Sequence, residues 1–191
     1  MGKVDFLIDG IHYTGEEGSF IIDAAKKNGI YIPSLCNVPG LKPKGSCRIC
    51  TVKIGGKYTT ACSTPLQGGM EIENDTAEIN EHRMMILELL YSEGNHFCPS
   101  CERSGDCELQ ALAYRYGIYS SRFPYRYPNR KAEADVPYLL KDQNRCILCK
   151  RCIRGIKDEY GRSVFAYLKR GEQVQIVIDK SPNHTMSADT A

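Results

Sequence analysis

The sequence predicts an α+β chain of three small units: a mixed sheet curled around one helix, a pair of helices, and a two-stranded unit behind a cysteine-rich loop. Two observations carry this. Apolar residues alternate near both ends of the chain but take helical spacing in its middle. Prolines and glycines interrupt both patterns over residues 33–47, and prolines again over residues 118–137. A length of 191 residues suits one medium domain or two or three small ones, and a hydrophobic content of 42% without tryptophan favours the small ones. Units of about 60 residues bury too little apolar surface to be robust alone, so metals, disulfides or partner subunits commonly hold them.

Val4, Phe6 and Ile8 share one face of a strand over residues 3–9 that closes at Asp9-Gly10, and a second short strand follows over residues 11–13. Ser19 reads as the N-cap of a helix over residues 20–28, with Gly29 placed to end it in the left-handed conformation. Cys36 and Cys47 then fall on a loop. Residues 51–54, the Gly55-Gly56 turn and residues 57–61 read as a hairpin, and residues 70–73 as a closing strand. This order is a β-grasp layout, assigned to residues 1–78. From Asn80 the spacing is helical, with Met84, Met85, Ile86, Leu87, Leu89 and Leu90 apolar and Gly94 as the stop. A second helix is expected over residues 106–116, ending at Gly117, which completes a helical unit over residues 79–120. Residues 118–137 combine four aromatics with three prolines and read as a linker or docking strap. A cysteine run, a helix over residues 149–160, a strand over residues 164–168, a turn at Arg170-Gly171 and the alternation of Val174, Ile176 and Ile178 complete the chain. Together they read as half of a bacterial ferredoxin-like unit within residues 121–191.

Several classes are set aside. Asp5 lies inside the would-be apolar stretch at the N-terminus, no small-residue cleavage site follows, and Phe6 stands where myristoylation needs Ser or Thr. No window approaches 18 uninterrupted apolar residues, so no conventional membrane span is expected. The expectation is a soluble cytoplasmic chain, and a net charge of +2 is too weak to argue for nucleic acid. None of the 17 glycines forms a G-x-G pair and no Walker sequence is present, so neither NAD nor FMN is expected to bind this chain itself. No Ser/His/Asp set or carboxylate pair suggests a catalytic site. Asp158 and Glu159 read as a solvated helix face, and Lys150, Arg151 and Arg154 as facing solvent or a partner.

The ten cysteines fall in three blocks whose spacing suits metal rather than disulfides, which are uncommon in the cytoplasm. Cys36, Cys47, Cys50 and Cys62 give C-x10-C-x2-C-x11-C within the β-grasp pattern, as a [2Fe–2S] site would. A structural zinc module, which uses the same thiolates, is the competing class. Cys98, Cys101 and Cys107 are one ligand short of a four-iron cubane, and His96 is the nearby candidate for the fourth. His12, His82 and His184 read as ordinary polar residues. Cys146, Cys149 and Cys152 give the C-x2-C-x2-C run of a [4Fe–4S] site, but no cysteine follows. Three explanations stay open: a three-iron or exchangeable cluster, a fourth ligand from His184, Asp179 or a partner chain, or a sequence that stops short of its natural end. Residues 187–191 read as a capped helix start, which favours the last.

At Ser34-Leu35-Cys36, Gly45-Ser46-Cys47-Arg48-Ile49-Cys50, Gly94-Asn95-His96-Phe97-Cys98-Pro99-Ser100-Cys101-Glu102, Gly105-Asp106-Cys107-Glu108-Leu109-Gln110 and Arg145-Cys146-Ile147-Leu148-Cys149-Lys150-Arg151-Cys152, the chain resembles a known group. This is the N-terminal iron–sulfur region of the 75 kDa-type subunit of respiratory complex I. The chain is still more similar to its short relatives, the HoxU-type small diaphorase subunits of cytoplasmic NAD-reducing [NiFe] hydrogenases. The resemblance implies one [2Fe–2S] cluster on Cys36, Cys47, Cys50 and Cys62 and one [4Fe–4S] cluster on His96, Cys98, Cys101 and Cys107. It further implies the start of a second [4Fe–4S] site on Cys146, Cys149 and Cys152, the fourth ligand lying outside this chain. It implies a subunit of an oxidoreductase complex, without a catalytic site of its own. Such a subunit relays single electrons between an FMN- and NAD(H)-binding diaphorase partner and the small and large hydrogenase subunits, which interconvert H2 + NAD+ with NADH + H+. Two departures stand out. Large complex I subunits show H-x3-C where this chain has His96-x-Cys98, and the family's downstream C-P-x-G segment is absent here. A fragment of a complex I large subunit or of an [FeFe]-hydrogenase N-terminal region is the alternative within the same class.

Overall fold

Alternation of side chains across a pleated strand explains the first unit, in which β1 (Lys3–Ile8) turns its buried Phe6 and Ile8 inward. The computed structural model describes residues 2–136, 139–158 and 160–179; His184 and the helix start read at residues 187–191 lie outside them. Strand β2 (Ile11–Glu16) pairs with the whole of β1, from Ile8↔Ile11 to Lys3↔Glu16, and so runs past the expected end at residue 13. Gly15 permits the extension, since a Cβ there would lie 2.7 Å from Leu66 Cδ2. Helix α1 (Ile21–Lys27) buries Ile21, Ile22, Ala24 and Ala25 against the sheet. Its N-cap is Phe20, not Ser19: the Ser19 hydroxyl donates to the Glu16 carbonyl at 2.6 Å, and the helix has no side-chain cap. Gly29 ends the turn at φ +77°.

Strands β3 (Thr51–Ile54) and β4 (Lys57–Thr60) form the expected hairpin, and β5 (Glu71–Glu73) inserts between β1 and β3. The resulting order is β2-β1-β5-β3-β4, with β5 parallel to β1 and antiparallel to β3. One mixed sheet over one helix is the β-grasp fold. Its core gathers Phe6, Ile8, Ile21, Val52, Leu66 and Ile72, each contributing roughly 1.5–3 kcal/mol of hydrophobic burial.

Helix α2 (Ala77–Glu93) starts earlier than the apolar spacing suggests, because the Thr76 hydroxyl accepts from the Ile79 amide at 3.3 Å. Helix α3 (Glu108–Arg115) follows the second cysteine block and turns out at Gly117, φ +63°. A short hairpin of β6 (Glu133–Val136) and β7 (Leu139–Lys141) replaces part of the expected extended strap. Helix α4 (Arg151–Gly155) is five residues, not the longer helix over residues 149–160. Lys150 before it takes φ +63°, and after it Lys157 bridges to Ser163 while the Asp158 carboxylate accepts from the Tyr160 and Arg162 amides. Asp158 therefore braces a tight turn rather than facing solvent from a helix. Strands β8 (Phe165–Leu168) and β9 (Gln175–Ile178) close the last unit, whose core is Val164, Phe165, Ile176 and Ile178.

Candidate functional site

The loop before β3 and the turn after β4 bring the first cysteine block together. Cys36, Cys50 and Cys62 are fully buried, and Cys47 is half-buried. Their thiols influence one another in a chain, Cys47 with Cys36, Cys36 with Cys62 and Cys62 with Cys50. Hydrogen bonds from Cys47 and Cys62 hold the Cys36 thiol well below the usual range, and one from Cys62 lowers Cys50. The same contacts push Cys47 and Cys62 up. Three buried sulfurs and a half-buried fourth cannot all ionise unaided, so the set suits a cationic core that takes every one as thiolate. Arg48, between Cys47 and Cys50, holds φ +61°, an uncommon conformation for a residue with a Cβ that tightens the loop around the sulfurs.

The second block surrounds a cavity of about 250 Å³ between α2 and α3, with His96, Cys98, Cys101 and Cys107 all in its wall. His96 thus shares one cavity wall with Cys98, Cys101 and Cys107 across its one-residue spacing from Cys98. His96 stands edge-on to Tyr91, ring centroids 5.5 Å apart, and burial pushes its pKa down, which keeps the imidazole neutral. Its Nε2 atom is buried without a hydrogen-bond partner among the described residues. A neutral, unpartnered imidazole nitrogen beside three thiols is a donor set fitted to a metal core. Gly94 makes room for the ring: a Cβ there would lie 2.2 Å from His96 Nε2.

In the third block Cys146, Cys149 and Cys152 are half-buried ahead of and within α4. Burial raises the Cys152 thiol, and the charges of Cys149 and Cys146 raise it further. Leu148 at φ +52° and Lys150 at φ +63° curl this run as Arg48 curls the first. Asp179, at the end of β9, is tied by its amide to the Val164 carbonyl at 2.8 Å. Among the described residues no three His, Cys, Asp or Glu side chains gather at a point where one metal ion would sit. The fit to iron–sulfur cores rests on donor chemistry and on the cavity.

The three blocks meet. Leu35, Ile49, Leu87, Leu109 and Leu112 form one buried cluster, and Cys47, Cys107 and Ile147 pack against it, one from each block. Arg151 and Arg154 of α4 face neither solvent nor a partner alone. The Arg154 guanidinium donates to the carbonyls of Cys36 and Lys42, and Arg151 donates to the Asn37 carbonyl at 3.2 Å while pairing with Glu108 at 2.5 Å. Sequence reasoning missed this grip and the role of Gly94. For Gly94 a signal existed, a glycine two residues before the one clustered histidine. For Arg151 and Arg154 none did, since their partners in the other blocks lie 43 to 118 residues away. His82 stacks on Tyr58 and His12 is exposed, so both keep the ordinary reading.

Comparison with known proteins agrees with this geometry. Residues 2–77 match the 2Fe-2S iron-sulfur cluster binding domain, residues 83–122 the NADH-ubiquinone oxidoreductase-G iron-sulfur binding region, and residues 136–190 the NADH-quinone oxidoreductase subunit 3 ferredoxin-like domain. Fold and site thus define an iron–sulfur electron-transfer protein, a subunit type of hydrogenase and NADH-quinone oxidoreductase complexes. The chain is 40% identical to the NAD-reducing hydrogenase HoxS subunit gamma of Cupriavidus necator, over 93% of this chain and 76% of that one. A crystal structure of an NAD+-reducing [NiFe]-hydrogenase in the H2-reduced state superimposes with a TM-score of 0.88 at 38% identity, over 93% of this chain and 76% of its own. The NADPH-Fe(3+) oxidoreductase subunit alpha of Geobacter sulfurreducens is 34% identical over 94% of this chain, which spans only 22% of that protein. The chain belongs to the family of NAD-reducing hydrogenase gamma subunits. No described helix is long and apolar enough to cross a membrane.

Proposed function

We propose that this chain relays single electrons between an FMN- and NAD(H)-binding diaphorase subunit and a [NiFe]-hydrogenase module, within a cytoplasmic complex that interconverts H2 + NAD+ with NADH + H+. One observation supports this above the rest: side chains from all three cysteine blocks pack against a single buried apolar cluster. Three donor sets so placed suit a relay better than three separate zinc staples. In this reading Cys36, Cys47, Cys50 and Cys62 hold a [2Fe–2S] cluster and His96, Cys98, Cys101 and Cys107 a [4Fe–4S] cluster. Cys146, Cys149 and Cys152 hold a second [4Fe–4S] cluster whose fourth ligand comes from elsewhere. Bound clusters supply reversible one-electron redox change. The chain's own residues fix the sulfurs in place, exclude water from the first block and present the neutral His96 imidazole to the second. Residues 1–78, 79–120 and 121–191 carry one site each, and no residue of this chain is assigned a catalytic step.

Iron and acid-labile sulfide per chain, with EPR after reduction, test this on anaerobically purified protein. About ten irons are expected if all three sites fill, and about six if the third stays empty. Zinc without sulfide would overturn the relay reading. Mixed with the diaphorase partner, the loaded chain is expected to show cluster EPR signals on addition of NADH; silence there would refute the partner assignment alone.

A further inference from the structure

Among the described residues, one charged side chain outside the donor sets touches a donor sulfur. Arg145 belongs by sequence to the third block, directly before Cys146, yet its guanidinium points into the second. Nη1 lies 3.6 Å from Cys101 Sγ, within reach of an N–H···S hydrogen bond, and 2.5 Å from a Glu102 carboxylate oxygen. Nε lies 3.4 Å from Asp142 Oδ2, and the side chain lines the same cavity as His96 and Cys98. Its position is set by the main chain, because the Asn95 amide donates to the Asn144 carbonyl at 2.7 Å and the Asp142 carboxylate accepts from the Asn144 amide at 2.8 Å. Residues 142–145 are thereby docked on residues 94–102.

We infer that Arg145 sets the reduction potential of the second-block centre and that Glu102 moderates it. The inference rests on the proposed cluster at His96, Cys98, Cys101 and Cys107. Reduction adds one negative charge to a site whose sulfur already receives an N–H from a cation. A guanidinium at that sulfur stabilises the reduced form more than the oxidised one and raises the potential. The Glu102 carboxylate beside the guanidinium offsets part of that charge, so the two residues act with opposite sign. Arginine suits the task because its charge is permanent and its planar donors reach the sulfur and the carboxylate together.

The test is an EPR-monitored redox titration of the cluster-loaded full-length chain, with the first-block signal as internal reference. For Arg145→Gln the equilibrium constant for reducing the second-block centre is expected to fall about tenfold, ~59 mV for a one-electron couple. Glu102→Gln is expected to move the same centre the other way, and Arg145→Lys to fall between Arg145→Gln and the unmodified chain. A purely structural Arg145 would lower iron content and leave the potential of the remaining centres in place. Should Arg145→Gln fail to load iron, Glu102→Gln decides alone, since the Glu102 side chain is exposed. Unmoved potentials in loaded variants, or shifts of one sign in both, overturn the inference. An unmodified chain that binds no iron at the second block would instead overturn the cluster reading on which it rests.

Discussion

At the scale of single residues, Gly94 shows how a donor set can depend on an atom that is missing. Its backbone is extended, φ −109°, so any residue tolerates the conformation; only space demands glycine. A methyl at this position would sit 2.2 Å from His96 Nε2 and 3.2 Å from the Asn144 carbonyl, so the imidazole has to leave the cavity wall or the 144 segment has to lift. Gly94→Ala is therefore expected to cost the second-block cluster, about four irons per chain, while the first-block EPR signal persists. Full iron content in that variant would show that the ring has another place to go. The grouping of the cysteines into three blocks, with His96 beside the second, was legible in the sequence because spacing is a local property. Arg145 was not, because what brings it to the second block is the docking of residues 142–145 on residues 94–102.

At the scale of elements, α2 joins the sheet through one buried cation. Arg83 is 2% exposed, and it donates to the carbonyls of Ile49 and Thr51 at 3.2 and 2.9 Å and to the Asn74 side-chain oxygen at 2.8 Å. Ile49 and Thr51 flank Cys50, so the helix holds the very loop that carries the first cysteine block. Arg83→Met keeps much of the volume and leaves three buried acceptors unpaired, at a cost of roughly 1–3 kcal/mol each. A loss of at least about 3 kcal/mol of unfolding free energy is expected, read by urea titration of the loaded protein. A loss below about 1 kcal/mol would mean that water replaces the guanidinium. Arginine within a helical pattern reads as a solvent-facing residue until the partner surface is known, which is why this joint was hidden. The five strands of the sheet were legible because period-two alternation is local and strong. The hairpin β6–β7 was not, since it follows a proline-rich stretch with little alternation, and α4 was overestimated because two left-handed residues and the Asp158 turn bound it.

At the scale of the whole molecule, the apolar cores do not follow the sequence order of the cysteine blocks. The sheet and the last unit each keep a core of their own. The third core takes Leu35 and Ile49 from the first-block loops, Leu87 from α2, and Leu109 and Leu112 at α3, with Ile147 of the third block leaning on it. Arg154 adds a second tie, since its guanidinium bridges α4 to the carbonyls of Cys36 and Lys42. Strain at one site should therefore be felt at the others, which three beads on a string would not allow. Leu87 is fully buried in this shared core, and Leu66 lies in the sheet core alone. Either residue changed to Ala loses roughly 2–5 kcal/mol through lost burial and the cavity left behind. Leu87→Ala, although it alters only α2, is expected to lower the denaturant midpoint at which the first-block cluster bleaches, together with that of the second block. Visible circular dichroism and absorbance followed through a urea titration separate the two signals. A first-block midpoint that stays in place while the second falls would mean that the units unfold independently. Leu66→Ala supplies the converse: its damage should begin at the first block and reach the second only through Leu35 and Ile49.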